Sequence, residues 1–103
     1  MTTKAKSVYE ELGFANHDEM LIKARLVTEI ADQLKRRNLT QTEAAALLGF
    51  TQHKLSGVLR GQFRGVSEKK LMECLTKLGQ DVQITIKSAP KSRREGKISV
   101  AFA

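Results

Sequence analysis

The chain has 103 residues, a formal net charge of +7 and one cysteine, with a pI of about 9.9. This length suits one domain or one domain with tails, and a lone cysteine excludes an internal disulfide. No apolar run is long enough to span a membrane, and the N-terminus lacks the apolar stretch of a signal peptide. We therefore expect a cytoplasmic protein whose basic surface favours a polyanion, nucleic acid before a membrane. The alternative is a basic protein with no such partner.

The positive charge is concentrated in the middle and at the C-terminal end. Residues 1–19 carry a net charge of −2, residues 20–66 carry +5 and residues 67–103 carry +4. Nucleic-acid contacts are therefore expected from the second and third of these parts.

The first strong periodicity follows a mixed N-terminal segment, residues 1–15, in which Ser7–Phe14 is only weakly patterned. Apolar residues recur at helical spacing between Ile22 and Leu34. Asn16 is a suitable N-cap, and Asn38 is a suitable left-handed stop. The pattern predicts a first helix of roughly 20 residues.

Three shorter helices are predicted next, each with a hydroxyl cap at its start and a glycine at its end. Their caps are Thr40, Thr51 and Ser67, and their glycines are Gly49, Gly61 and Gly79. Glu43, three residues after Thr40, completes a capping box. Cys74 lies on the apolar face of the fourth helix and is expected in the core.

The periodicity changes to two after the fourth helix. Apolar and polar residues alternate over 82–87 and again over 98–102, which predicts two strands. The fold class is therefore mainly α: a bundle of four to five helices with a short C-terminal β extension. Residues 16–80 form the helical domain, and residues 81–103 form the tail. A lone hairpin is marginal in water, so we expect the apolar faces to be covered by a second copy in a homodimer, the alternative being the helices of the same chain.

Residues 39–61, LTQTEAAALLGFTQHKLSGVLRG, contain two helices of about eight residues joined by a turn with glycine, which is typical of a helix-turn-helix. Thr40 and Gln41 begin the first of these two short helices, where free backbone amides can face a phosphate. Thr51 caps the second, and its first exposed side chains are predicted to meet bases in the major groove; these are Gln52, His53 and Lys54. The glutamine amide matches N7 and N6 of adenine.

Four arginines flank this motif. Arg60 and Arg64 are predicted to contact phosphates, which would make affinity depend strongly on salt. Arg36 and Arg37 have two interpretations, as phosphate contacts or as cations that complement the end of the first helix. The basic stretch 91–97 likewise contacts the DNA backbone or forms a solvated turn.

Other classes of function find little support. No Ser/His/Asp set, phosphate-binding loop or paired carboxylate has a suitable context, so no enzymatic activity and no cofactor are expected. His17 and His53 are too few and too far apart for a metal site. An RNA-binding module would need exposed aromatic residues, which the motif lacks.

The stretch LTQTEAAALLGFTQHKLSGVLRG resembles the helix-turn-helix of the Cro/repressor-type (Xre-like) family, over about residues 20–79. A closer similarity is to the HigA-like antitoxins that regulate toxin–antitoxin operons, in the flanks Tyr9–Phe14 and Leu78–Ile86. This resemblance implies a homodimeric repressor that binds an operator in double-stranded DNA and masks a small basic toxin. The rival is a protein-interaction module that masks a toxin, with DNA binding secondary.

The sequence departs from this family at Gly57, where other members often have a polar side chain that contacts DNA. The resemblance then implies that base contacts come from the remaining polar residues of the helix, namely Gln52, His53, Lys54 and Ser56.

Overall fold

The computed structural model describes residues 16–103, with side chains from residue 19 onward. Its helices are α1 (Asn16–Arg37), α2 (Gln41–Leu48), α3 (Gln52–Leu59) and α4 (Glu68–Lys77). The four predicted helices are thereby confirmed, including the helix-turn-helix of α2 and α3. The N-terminal segment 1–15 lies outside the described residues.

The three short helices begin at the predicted hydroxyl caps. The Thr40 hydroxyl accepts from the Glu43 amide at 3.1 Å, and the Thr40 amide donates to the Glu43 carboxylate at 2.9 Å, which completes the capping box. Thr51 and Ser67 accept in the same way from the amides of Lys54 and Lys70. Each cap satisfies one of the backbone donors that a helix start leaves without an intrahelical partner.

Left-handed residues end the helices and set the directions of the turns. Asn38 has φ +55° after α1, as predicted, and Gly49 has φ +78° between α2 and α3. A side chain with a Cβ is strained at such a φ, whereas glycine adopts it readily. The turn of the helix-turn-helix therefore depends on Gly49.

The apolar faces of the four helices form one core. α1 packs on α4 and α3, and α2 packs on α3 and α4. Leu48, Leu55, Leu71 and Leu78 are almost completely buried, and burying a leucine side chain contributes about 1.5–3 kcal/mol each. Cys74 is 1% exposed, in the core as predicted, and burial raises the pKa of its thiol.

Two basic side chains at the edge of this core, the exposed Arg37 and the half-buried Lys70, bind carbonyl groups at helix C-termini. Arg37 at the end of α1 donates to the carbonyl of Leu78 at 2.7 Å. Lys70 on α4 donates to the carbonyl of Leu48 at 2.8 Å and lies over the ring of Phe50 at 4.9 Å. Each cation neutralises carbonyl groups that have no intrahelical donor.

The predicted β extension is wrong for the single chain. Within residues 16–103, neither 82–87 nor 98–102 forms a strand. Ile84 and Ile86 are 78% and 93% exposed. Alternation shows which side chains need cover but does not supply a strand partner, and two strands alone are only marginally stable.

The end of the tail returns to α1 instead of pairing with residues 82–87. Val100 is half-buried and packs against the core. The guanidinium of Arg25 on α1 lies over the Phe102 ring, 5.4 Å from its centroid. The same chain therefore covers Val100 in part, whereas Ile98 and Phe102 are still 43% and 45% exposed.

The helices of the described part are too short or too polar to cross a membrane.

Candidate nucleic-acid interface

The start of α2 is exposed and presents backbone donors. Thr40 and Gln41 are both exposed. The Thr40 hydroxyl takes only the amide of Glu43, and the first amides of a helix have no intrahelical acceptor. An anion such as a phosphate is stabilised at this position by those amides and by the helix dipole.

The first turn of α3 carries three neighbouring exposed side chains, those of Gln52, His53 and Lys54. Leu55 and Val58, on the opposite side of the helix, are buried and fix α3 against the rest of the domain. The amide, the imidazole and the ammonium group are therefore presented to solvent on a rigid element. Such a turn offers donors and acceptors to base edges.

Thr42 is a neighbour of Gln52 that the sequence did not indicate. Its hydroxyl, on the second residue of α2, donates to the Gln52 side-chain oxygen at 3.2 Å. This bond links the starts of the two helices and restrains the Gln52 amide. Only the angle between α2 and α3 brings the two together, so sequence spacing carried no clear signal for the contact.

Ser56 and Arg60 bind each other. Ser56 is half-buried and Arg60 is exposed, and the Arg60 guanidinium donates to the Ser56 hydroxyl one turn earlier. Arg60 is also the C-cap residue of α3. The two predicted site residues therefore form a pair near the end of α3, away from the first turn.

Arg64 lies in the loop between α3 and α4, and its side chain is exposed. Its carbonyl accepts from the Lys23 ammonium group at 2.8 Å. Lys23 is 4% exposed, and it also lies 3.3 Å from the carboxylate of Glu19. A buried ammonium group with two oxygen partners meets the requirement that buried charge be paired.

The other two arginines are engaged within the domain. Arg36 pairs with Asp32 at 3.0 Å on an exposed face. Arg37 donates to the Leu78 carbonyl at the end of α4, so the helix terminus that it complements belongs to α4 and not to α1. The stretch 91–97 is exposed throughout, with a turn in which the Arg93 amide donates to the Pro90 carbonyl.

These features define a helix-turn-helix DNA-binding domain, and the comparisons agree. The family model described as a helix-turn-helix domain matches residues 8–87. A solved structure assigned to the XRE family of transcriptional regulators is 37% identical, with a TM-score of 0.80 over 86% of this chain and 100% of that one. A comparison with curated proteins found no significant match. The chain belongs to the XRE family of helix-turn-helix transcriptional regulators and is a DNA-binding protein of that family.

Proposed function

We propose that the chain is a sequence-specific transcriptional repressor that binds operator DNA as a homodimer, with α3 of each copy in the major groove. The observation that carries this proposal is the exposed first turn of α3 beside the open start of α2. In this motif, the N-terminal residues of the second helix meet base edges, and the first helix contacts the backbone.

Each site residue has a role in this proposal. Gln52 and His53 face bases, and Lys54 contacts either a base or a phosphate. Thr40 caps α2, and the first amides of that helix, those of Gln41 and Thr42, bind one phosphate. The remaining site residues lie around these contacts. Thr51 caps α3, the Ser56 hydroxyl binds the Arg60 guanidinium, and Arg60 and Arg64 contact phosphates.

The test is a binding titration of the operator, first selected from random double-stranded DNA with the wild-type chain. Gln52→Ala should relax discrimination at one base position by about 1–3 kcal/mol, whereas Lys54→Ala should weaken all sequences more evenly. Gln33→Ala is the matched control, because Gln33 bonds to Glu29 within α1. Selectivity that is unchanged in Gln52→Ala would contradict the proposed readout.

The homodimer is proposed from the exposed apolar side chains of residues 82–87. Ile84 and Ile86 are large and almost uncovered, and a second copy related by a twofold axis would bury them while supplying the second reader helix. Ile84→Asp combined with Ile86→Asp should shift the chain to monomer in sedimentation while the helical circular dichroism signal stays, because neither residue touches the core. Gln83→Asp combined with Thr85→Asp is the control, because it adds the same two negative charges at exposed neighbouring positions. A double variant that stays dimeric would rule out this interface.

The antitoxin role rests on the resemblance in the flanks, of which Leu78–Ile86 lies in the described part. In this role the chain is cytoplasmic, represses its own operon and masks a small basic toxin. Co-expression with the product of the neighbouring gene tests it: a stable complex that inhibits a toxic activity supports the role, and a neighbour that neither binds nor is toxic contradicts it. If DNA binding survives loss of both Gln52 and Lys54, the toxin-masking rival is favoured.

A further inference from the structure

Gly57 is buried although it lies on the outer face of α3. Leu55 and Val58 point into the core. With 100° between successive residues, Gly57 falls on the side opposite Leu55, one turn after the exposed His53. A glycine on that face would be open to solvent unless another residue covered it.

Gln62 is the residue that covers it. The Gln62 side-chain oxygen lies 2.8 Å from the position that a Cβ of Gly57 would occupy, and its own Cβ is 3.7 Å from that position. Gln62 itself is exposed. Its amide group therefore lies on the outer face of α3, at the place where a side chain of residue 57 would otherwise stand.

The turn at the C-terminal end of α3 fixes Gln62 in this position. The Gly61 amide donates to the carbonyl of Val58 at 3.1 Å, and the Gln62 amide donates to the carbonyl of Gly57 at 2.8 Å. With Gly61 at φ +105°, these two bonds form a Schellman motif, which brings the residue after the left-handed glycine against the third-last residue of the helix. In this chain those two residues are Gln62 and Gly57.

We infer that Gln62 is a specificity-determining residue that reads a base from its place over Gly57. The inference rests on the proposed DNA-reading function of α3. A glutamine amide offers a donor and an acceptor to a base edge, and this one stands one turn beyond His53 along the same face. The base that it contacts therefore differs from the base contacted by Gln52 at the start of the helix.

The test compares base preferences of variants on the selected operator and its single-base variants. Gln62→Ala removes the amide, and Gln62→Met keeps the length and the cover over Gly57 without hydrogen-bonding groups. Gly57→Ala leaves residue 62 a glutamine but puts a methyl group at the position of the Gln62 side-chain oxygen. Alanine also has a higher helix propensity than glycine. All three should lose about fivefold or more of discrimination at one shared base position, distinct from the position relaxed by Gln52→Ala.

Gly57→Ala makes the test specific, because it should not lower the midpoint of urea unfolding while it changes base preference. Gln33→Ala should change neither quantity. The inference is overturned if the Gln62 variants weaken every sequence evenly, as a phosphate contact would, or if Gly57→Ala leaves the shared position unchanged. If the wild-type chain binds all sequences equally, the proposed function is overturned as well. If the wild type is selective and the Gln62 variants keep its base preferences, this inference alone is overturned.

Discussion

Replacing Lys70 should show how much the helix-turn-helix depends on the helix behind it. Lys70 is half-buried, donates to the Leu48 carbonyl at 2.8 Å and lies 4.9 Å from the centroid of the Phe50 ring. Lys70→Met retains most of the packing of the side-chain stem but removes both the bond and the cation. The carbonyl at the end of α2 then loses its charged donor.

The expected cost follows from these two contacts. A hydrogen bond from a charged donor contributes about 1.5–3 kcal/mol, and a cation over an aromatic ring about 0.5–1 kcal/mol at an exposed site. Partial exposure reduces the sum through solvent screening, so we expect a loss of about 2 kcal/mol in the free energy of unfolding. For a domain of this size, Tm should fall by roughly 8–16 °C.

Urea unfolding followed by circular dichroism measures the loss, and Lys69→Met supplies a matched control. Lys69 is the exposed neighbour on α4, so its replacement makes the same change in net charge without touching the turn. If the two variants unfold at the same urea concentration, the contacts of Lys70 with Leu48 and Phe50 contribute nothing net, and the reasoning is refuted.

Three further predictions concern the interface and the core. Thr42→Val removes the hydroxyl that restrains Gln52, so discrimination at the base read by Gln52 should fall about fivefold in titrations; an even loss for all sequences would instead indicate a phosphate contact. Arg64→Ala should make the slope of log affinity against log salt shallower by about one, whereas Arg36→Ala, already paired, should leave it unchanged; equal effects would contradict this division. Cys74 should react with a thiol reagent at pH 8 far more slowly in the native protein than in urea, because its raised pKa and burial keep the thiolate scarce and covered; rapid native modification would show that the core opens.

Local signals were enough to predict the helices. Caps such as Thr40 and Thr51, and the left-handed Asn38 and Gly49, act within a few residues of the chain. Their hydrogen bonds close over three to five positions, so the sequence order contains the whole interaction. The four helices and the motif of α2 and α3 were predicted for this reason.

Contacts between distant elements were not predictable in the same way. Nothing in the sequence distinguishes Lys23 or Gln62 from the other polar residues around them. In the structure, Lys23 is buried and donates to the carbonyl of Arg64, and Gln62 covers Gly57. In each case the groups are brought together by the angle at which helices pack or by the turn that ends a helix. The strand prediction over 82–87 failed for a related reason, since alternation specifies an apolar face and strand pairing needs a partner.

Two hydrogen bonds tie α1 to distant parts of the chain, and these two ties also bear on the order of folding. Lys23 and Arg37 each reach a carbonyl 41 positions away in the sequence, at Arg64 and Leu78. Closing such long loops costs chain entropy before any contact repays it, whereas α2 and α3 assemble from neighbouring residues. We therefore expect α1 to dock late, after the helix-turn-helix has formed. Loss of either tie should then accelerate unfolding while leaving the refolding rate nearly unchanged.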